Sequence, residues 1–168
     1  PDRDRLRREV IPTIDPAKSA AMEEAVTEAR AQGDSVGGVI ECAVVGLPAG
    51  LGAPFFDSVE SILSHLMFSV PAVKGVEFGD GFALADMRGS TANDPLRYEN
   101  GRVVTETNRG GGIGGGITNG MPVIFTTAMK ATPSIGCPQQ SVSIARMENM
   151  PLEVKGRHDP CIVPRAVP

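Results

Sequence analysis

The sequence predicts an α+β fold, or a layered α/β sandwich, from three observations. Between residue 16 and Phe78 the pattern runs helix, strand, helix, strand. The second half is mostly short strand-like runs broken by glycine and proline. No repeat period or linker interrupts the chain, so its 168 residues read as a single domain, 1–168, able to bury a core.

Each element has a local reason. Asp15 can cap a helix entered through Pro16 and carried by residues 18–30, and Gly33 ends it. Ala21, Met22, Ala25 and Ala29 give that helix a thin apolar stripe. Residues 36–45, rich in Val and Ile, read as a buried strand that stops at Gly46-Leu47-Pro48. Asp57 or Ser58 can cap a second helix over 59–68, apolar at Val59, Ile62, Leu63, Leu66 and Met67. His65 sits among those positions and reads as structural. Pro71 closes the helix, and 73–78 is a short strand. Residues 82–88 suit a brief helix and 90–101 a polar, turn-rich loop. Glu99-Asn100-Gly101-Arg102 suits a hairpin turn into a strand at 103–107. Two further strands are expected at 122–128 and 141–146.

Composition removes several classes of function. A net charge of −4, no Trp and the single Tyr98 argue against a nucleic-acid partner. No apolar run approaches the roughly 20 residues that span a bilayer, so no membrane role is expected. The opening Pro1-Asp2-Arg3-Asp4-Arg5 lacks the apolar region of a signal peptide. Cys42, Cys137 and Cys161 lie far apart, which fits a reduced, cytoplasmic setting with neither zinc nor a disulfide framework. Both ends read as cut, so the chain is expected to be part of a longer polypeptide.

The chemistry concentrates in residues 107–134. Six glycines between Gly110 and Gly116 are interrupted only by Ile113. Backbone N–H groups in such a run can form an anion-binding concavity. The formal G-x-G-x-x-G at Gly110, Gly112 and Gly115 has no helix after it and no acidic residue downstream before Glu148, so a dinucleotide fold is not indicated. Beyond the strand at 122–128, Lys130 precedes Thr132 and Ser134, one cation and two hydroxyls that suit a phosphate monoester. Pro133 stiffens this loop. A glycine-rich surface loop and an exposed lysine at a strand end are the plain structural alternatives. Arg157-His158-Asp159 places a cation, an imidazole and a carboxylate in sequence, and a surface ion pair before Pro160 is again the plain alternative. No serine or cysteine sits in a recognised nucleophile motif.

Several of these strings together resemble the chorismate synthase family. They are Gly37-Gly38-Val39-Ile40-Glu41-Cys42, residues 46–52, residues 71–82, the glycine run 111–120, residues 130–134, and Gly156-Arg157-His158-Asp159-Pro160-Cys161. They occur in family order across nearly the whole chain. The resemblance implies a lyase that converts 5-enolpyruvylshikimate 3-phosphate to chorismate by anti-1,4 elimination of phosphate, with reduced FMN as cofactor and NADPH as a candidate reductant. It implies a layered β-α-β sandwich of the chorismate synthase type and a homotetramer. By motif, Pro71, Ala72, Gly115, Lys130, Ala131, Thr132, Pro133, Ser134 and Arg157 would contact FMN. Asp159 would manage a proton near flavin N5, and Arg157 could also face the anionic substrate. Pro71 departs from the pattern, since many relatives carry an amide side chain there. The family's histidine-containing Ser-His-Gly-type motif and its arginine-rich motif are not in these residues. The fragment is therefore expected to hold much of the flavin site but only part of the substrate site. A non-catalytic module that binds flavin or a phosphate ligand is the alternative reading.

Overall fold

The computed structural model describes residues 3–156 and 158–167. In chain order it contains helices α1 (Arg3–Leu6), α2 (Pro16–Ala31), α3 (Val59–Ser69) and α4 (Gly89–Ala92). Its strands are β1 (Gly38–Val44), β2 (Val73–Phe78), β3 (Leu96–Glu99), β4 (Arg102–Thr105), β5 (Ile113–Gly114), β6 (Ile117–Thr118), β7 (Val123–Met129), β8 (Gln139–Ser143) and β9 (Glu148–Leu152). The content is α+β, as the sequence predicts. The chain forms two compact units, one of Pro1–Gly38 with Met129–Pro168 and the other of Val39–Ala128. Among the described residues, no helix is long and apolar enough to cross a membrane.

The second unit is built on a three-stranded sheet in the order β1-β7-β2. β7 sets its core by strict alternation: Val123 is fully buried, Phe125 and Thr127 nearly so, and the residues between them are more open. Full burial of a Val or Phe side chain contributes about 1.5–3 kcal/mol. Ile113 joins Val123 and Phe125 in this cluster, and Cys42, Leu47, Val59, Leu63, Met67 and Phe78 pack around it. The Phe78 and Phe125 rings lie tilted, with centroids 5.9 Å apart. α3 supplies Val59, Leu63 and Met67 at four-residue spacing, which puts them on one helical face. Ser58 caps that helix by accepting from the Ser61 N–H at 3.0 Å. Ile62 and Leu66 are about half exposed, and His65 is exposed rather than seated between core positions.

Burial separates expectation from structure in β1. The sequence suggests a strand buried on both faces, but Val39 and Glu41 face solvent while Ile40 and Cys42 turn inward. A charge at Glu41 is compatible only with one wet face. The brief helix expected at 82–88 is a 3-10 segment, Gly81–Asp86. Part of the expected polar loop is ordered as α4 and β3. The hairpin between β3 and β4 has the predicted register, Glu99 opposite Arg102, with Asn100 and Gly101 at φ 50° and 80°.

In the first unit, α2 begins as its sequence dictates, with the Asp15 carboxylate accepting from the Ala17 N–H at 3.0 Å. Only Ala29 of this helix is buried, in keeping with its thin stripe. β8 and β9 pair antiparallel, from Gln139 opposite Leu152 to Ser143 opposite Glu148. β9 was not expected, because Glu148, Asn149 and Pro151 are poor strand formers.

α3 leaves through a tight turn in which the Val73 N–H donates to the Val70 carbonyl at 3.3 Å. Pro71 and Ala72 are the central residues, and Ala72 sits at φ 75°, where a turn of this kind calls for glycine. A Cβ in that region costs on the order of 1 kcal/mol. Ala72→Gly is therefore expected to raise unfolding stability by up to about 1 kcal/mol, the gain being reduced by glycine's greater freedom in the unfolded chain. Urea titration of the two chains checks it; a loss of stability would mean the turn is unstrained.

Candidate functional site

Each unit carries part of the predicted site, and each part is built differently. In the second unit the glycine run folds onto its own sheet. Gly112, at φ 78°, lies so close to the Pro122 carbonyl that an added Cβ would stand 2.4 Å from its oxygen. The Gly111 N–H donates to the Asn108 carbonyl at 3.0 Å and the Ile124 N–H to the Gly111 carbonyl at 3.1 Å. Residues 110–112 thus serve backbone-to-backbone packing.

The expected anion cradle is already filled at its start. The N–H groups of Arg109 and Gly110 donate to the Asp94 carboxylate at 2.7 and 2.8 Å, and the Thr107 hydroxyl adds a third bond at 2.6 Å. Desolvation is the largest single influence on Asp94 and raises its pKa. The Thr107, Gly110 and Arg109 hydrogen bonds and the Arg109 charge together outweigh it, and its pKa lies below the ordinary 3.8. Arg109 also pairs with Asp80 at 2.8 Å. These groups hold the loop, and sequence reasoning missed Asp94 because it lies 16 residues from Gly110.

What remains open is the tip of the β5–β6 hairpin. Gly115, at φ 60°, has no atom within 4 Å of where a Cβ would stand. Pro71 is exposed and Ala72 half-buried. In the β1 strand, burial followed by the Glu41 charge pushes the Cys42 thiol above its usual pKa, which disfavours a reactive thiolate.

In the first unit an extended segment, residues 35–37, organises the remaining candidates. The Ser35 hydroxyl donates to the Thr132 carbonyl at 2.7 Å. Gly37 packs on the same loop, where an added Cβ would stand 2.4 Å from the Met129 carbonyl oxygen and 3.0 Å from the Ala131 nitrogen. The Val36 N–H donates to the Pro160 carbonyl at 2.8 Å, and Val36 bridges Cys161 in parallel fashion. Residues 130–132 and 159–161 are therefore brought to two sides of one strip. Gln139 steadies the loop further by donating from Nε2 to the Pro133 carbonyl at 3.3 Å.

The side chains on this strip differ in how they are satisfied. Lys130 is exposed and in no ion pair among the described residues. The Thr132 hydroxyl oxygen is buried without a hydrogen-bond partner, and so is His158 Nε2. Pro133 and Ser134 are exposed, and Ala131 is half-buried. Asp159 pairs with Arg165 at 2.7 Å, a support the sequence reading did not anticipate. An open cavity of about 400 Å³ is lined by Arg30, Gly156, His158, Asp159 and Pro160. Arg157, assigned by motif to cofactor and substrate, lies outside the described residues.

Comparison with known proteins gives one consistent result. A family model described as chorismate synthase matches residues 3–168. The chain is 53% identical over 147 residues to the chorismate synthase of Thermococcus gammatolerans, covering 88% of this chain and 41% of that protein. It is 49% identical over 168 residues to the chorismate synthase of Opitutus terrae, covering all of this chain and 46% of that one. A solved structure titled as the crystal structure of chorismate synthase superposes with a TM-score of 0.68 at 35% identity, covering 74% of this chain and 37% of that one. The chain thus spans less than half the length of these relatives.

Asp94 gives the loop a pH dependence of defined sign. Its folded pKa is lowered, so its stabilisation is complete above the ordinary value of 3.8 and is lost as pH falls through the lower folded value. Asp94→Asn is expected to lower the urea midpoint at pH 7 and to flatten its decline between about pH 5 and pH 3. Parallel acid limbs for the two chains would show that the carboxylate does not carry the effect.

Proposed function

The chain belongs to the chorismate synthase family, and on that basis we propose that it forms the flavin-holding part of a lyase. The proposed reaction is anti-1,4 elimination of phosphate from 5-enolpyruvylshikimate 3-phosphate to give chorismate. The proposed cofactor is reduced FMN, with NADPH as candidate reductant and a homotetramer as the assembled form. The match over residues 3–168 supports the family, and the local donor set supports the cofactor.

That donor set fits a phosphate-bearing group. A lysine outside any described ion pair stands two residues from a buried hydroxyl that lacks a partner, and Ser134 follows on the exposed side of the loop. Leaving a buried hydroxyl unsatisfied costs about 1–3 kcal/mol, a deficit a bound anion would remove. Lys130, Thr132 and Ser134 would hold the phosphate of FMN, while Ala131 and Pro133 fix the loop between them. Gly115 leaves room at its hairpin tip for the backbone to approach a ring. Pro71 and Ala72 would contribute the exposed turn after α3.

Reduced flavin, when bound, supplies the transient electron density that eases departure of phosphate. The protein's own work is binding and proton handling. Asp159, oriented by Arg165, would accept or return the proton at flavin N5. Arg157 would offset the charge of the anionic substrate as phosphate leaves.

Titration of FMN into this chain, followed by flavin fluorescence, tests the phosphate assignment. Lys130→Ala is expected to weaken binding by about tenfold, equivalent to about 1.4 kcal/mol. Thr132→Val should weaken it as well, although removing an unsatisfied hydroxyl leaves the free protein as stable or more so. Equal affinity in all three chains would remove residues 130–134 from the phosphate site.

A further inference from the structure

The pair Asn-Gly occurs twice in the chain, at Asn100-Gly101 and Asn119-Gly120, and the fold treats the two differently. Such a pair can react with itself. The backbone nitrogen that follows an asparagine can close a five-membered ring on the side-chain amide carbon, and glycine has no Cβ to screen that nitrogen. The reaction depends on whether the fold leaves both groups free to meet.

At Asn119 it does not. The Asn119 N–H donates to the Gly112 carbonyl at 3.0 Å, and Asn119 Oδ1 accepts from the Met121 N–H at 3.0 Å. The second bond ties the side-chain amide to the residue beyond Gly120. Asn119 is half-buried, and its neighbour Thr118 is buried and bonded through its hydroxyl to Pro48 and Leu51.

At Asn100 both groups are free. Among the described residues, the Asn100 side chain forms no hydrogen bond and the Gly101 N–H donates to no acceptor. Nothing lies within 4 Å of where a Cβ on Gly101 would stand, and residues 95–103 are all exposed. β3 and β4 pair with no other strand among the described residues, so the tip can open without disturbing the core. Asn100 also sits at φ 50°, where its Cβ raises the energy of the closed turn.

We propose that Asn100-Gly101 is a self-modification site, at which the folded chain converts Asn100 to isoaspartate and thereby loosens the β3–β4 hairpin. The Gly101 nitrogen gives up its proton to a base in the solvent and bonds to Asn100 Cγ. The Cγ–Nδ2 bond breaks, and the amide group takes up a proton from solvent and leaves as ammonia. Water then opens the cyclic imide. Cleavage at the former Asn100 main-chain carbonyl gives isoaspartate, and cleavage at Cγ gives aspartate. No electrons are transferred, and water is the one co-reactant. Isoaspartate routes the main chain through Cβ and adds an atom to a two-residue turn whose geometry admits none. The pairings nearest the tip, Glu99 with Arg102 and Tyr98 with Val103, are the first to be released.

Peptide mapping by mass spectrometry of the folded 168-residue chain, held at mildly alkaline pH, tests the proposal. The Asn100 peptide is expected to exchange the mass of NH for that of oxygen and to accept a methyl label from an isoaspartyl methyltransferase. Asn119 reacts only when its turn opens, and about 1.4 kcal/mol of opening is tenfold in rate, so its peptide should lag by about tenfold or more. In urea that unfolds the chain, the two sites should react at similar rates. Asn100→Gln, which would have to close a six-membered ring, should remove the label from this peptide and leave the circular dichroism spectrum unchanged. Amide exchange over residues 96–105 should be faster in the isoaspartyl chain, isolated by ion exchange. Equal rates at the two sites in the folded chain, reaction at Asn100 only after unfolding, label that survives Asn100→Gln, or unchanged amide exchange would each overturn it.

Discussion

The approach of the glycine run to the backbone around β7 is the constraint on which the second unit depends. A Cβ on Gly112 would stand 2.4 Å from the Pro122 carbonyl oxygen, and one on Gly111 would stand 2.5 Å from the Gly79 nitrogen and 2.7 Å from the Ile124 carbonyl oxygen. No side chain larger than hydrogen can stand between these backbones. Ile113, next in the chain, is buried in one cluster with Val123 and Phe125. The same contact sets the start of the β5–β6 hairpin and hence where Gly115 projects. The position of that tip is thus a by-product of packing several residues away.

Electrostatics follow a similar division. Asp94 takes up the N–H groups of Arg109 and Gly110, and Asp80 takes up the Arg109 guanidinium. These charges are committed to holding one loop. In the other unit the loop at 130–134 is held without charge, through the Ser35 hydroxyl, the Gln139 amide and the close seat of Gly37. Its lysine is therefore left uncommitted among the described residues. A cation that no fold contact neutralises is one that can meet an incoming anion at small desolvation cost.

Local signals were legible in the sequence and non-local ones were not. The Asp15 cap, the Ser58 cap and the Asn100-Gly101 turn each depend on residues within about four positions, and each appears as read. The depth of β1 did not follow from its Val and Ile content, because burial depends on what covers each face. β8 was shifted toward Ile144 by an alternation that the fold turns outward, and β9 was hidden by its proline and acid. The glycine run was read as a ligand cradle since nothing near it advertised the carboxylate of Asp94. Residues 130–134 and 159 were singled out from charge and hydroxyl pattern, but the segment 35–37 that lies between them was not. A pairing of Val36 with Pro160 spans well over a hundred residues, and no local rule encodes it.

The candidates that remain for chemistry are best separated from the rest by asking which have no structural task. Gly111, Gly112 and Gly37 are fixed by close approach, and replacing their hydrogen would displace a backbone. Gly115 is under no such requirement, yet it holds a positive φ at an open tip. The Thr132 carbonyl anchors its loop, while the hydroxyl of the same residue is buried and unused. An isolated hydroxyl in that state is a standing cost that folding alone does not offset, so a valine there would serve the free protein better. Its presence beside Lys130 is intelligible if the loop's lowest free energy is reached with an anion in place. Stability of the empty chain and affinity for the ligand then pull the same residue in opposite directions.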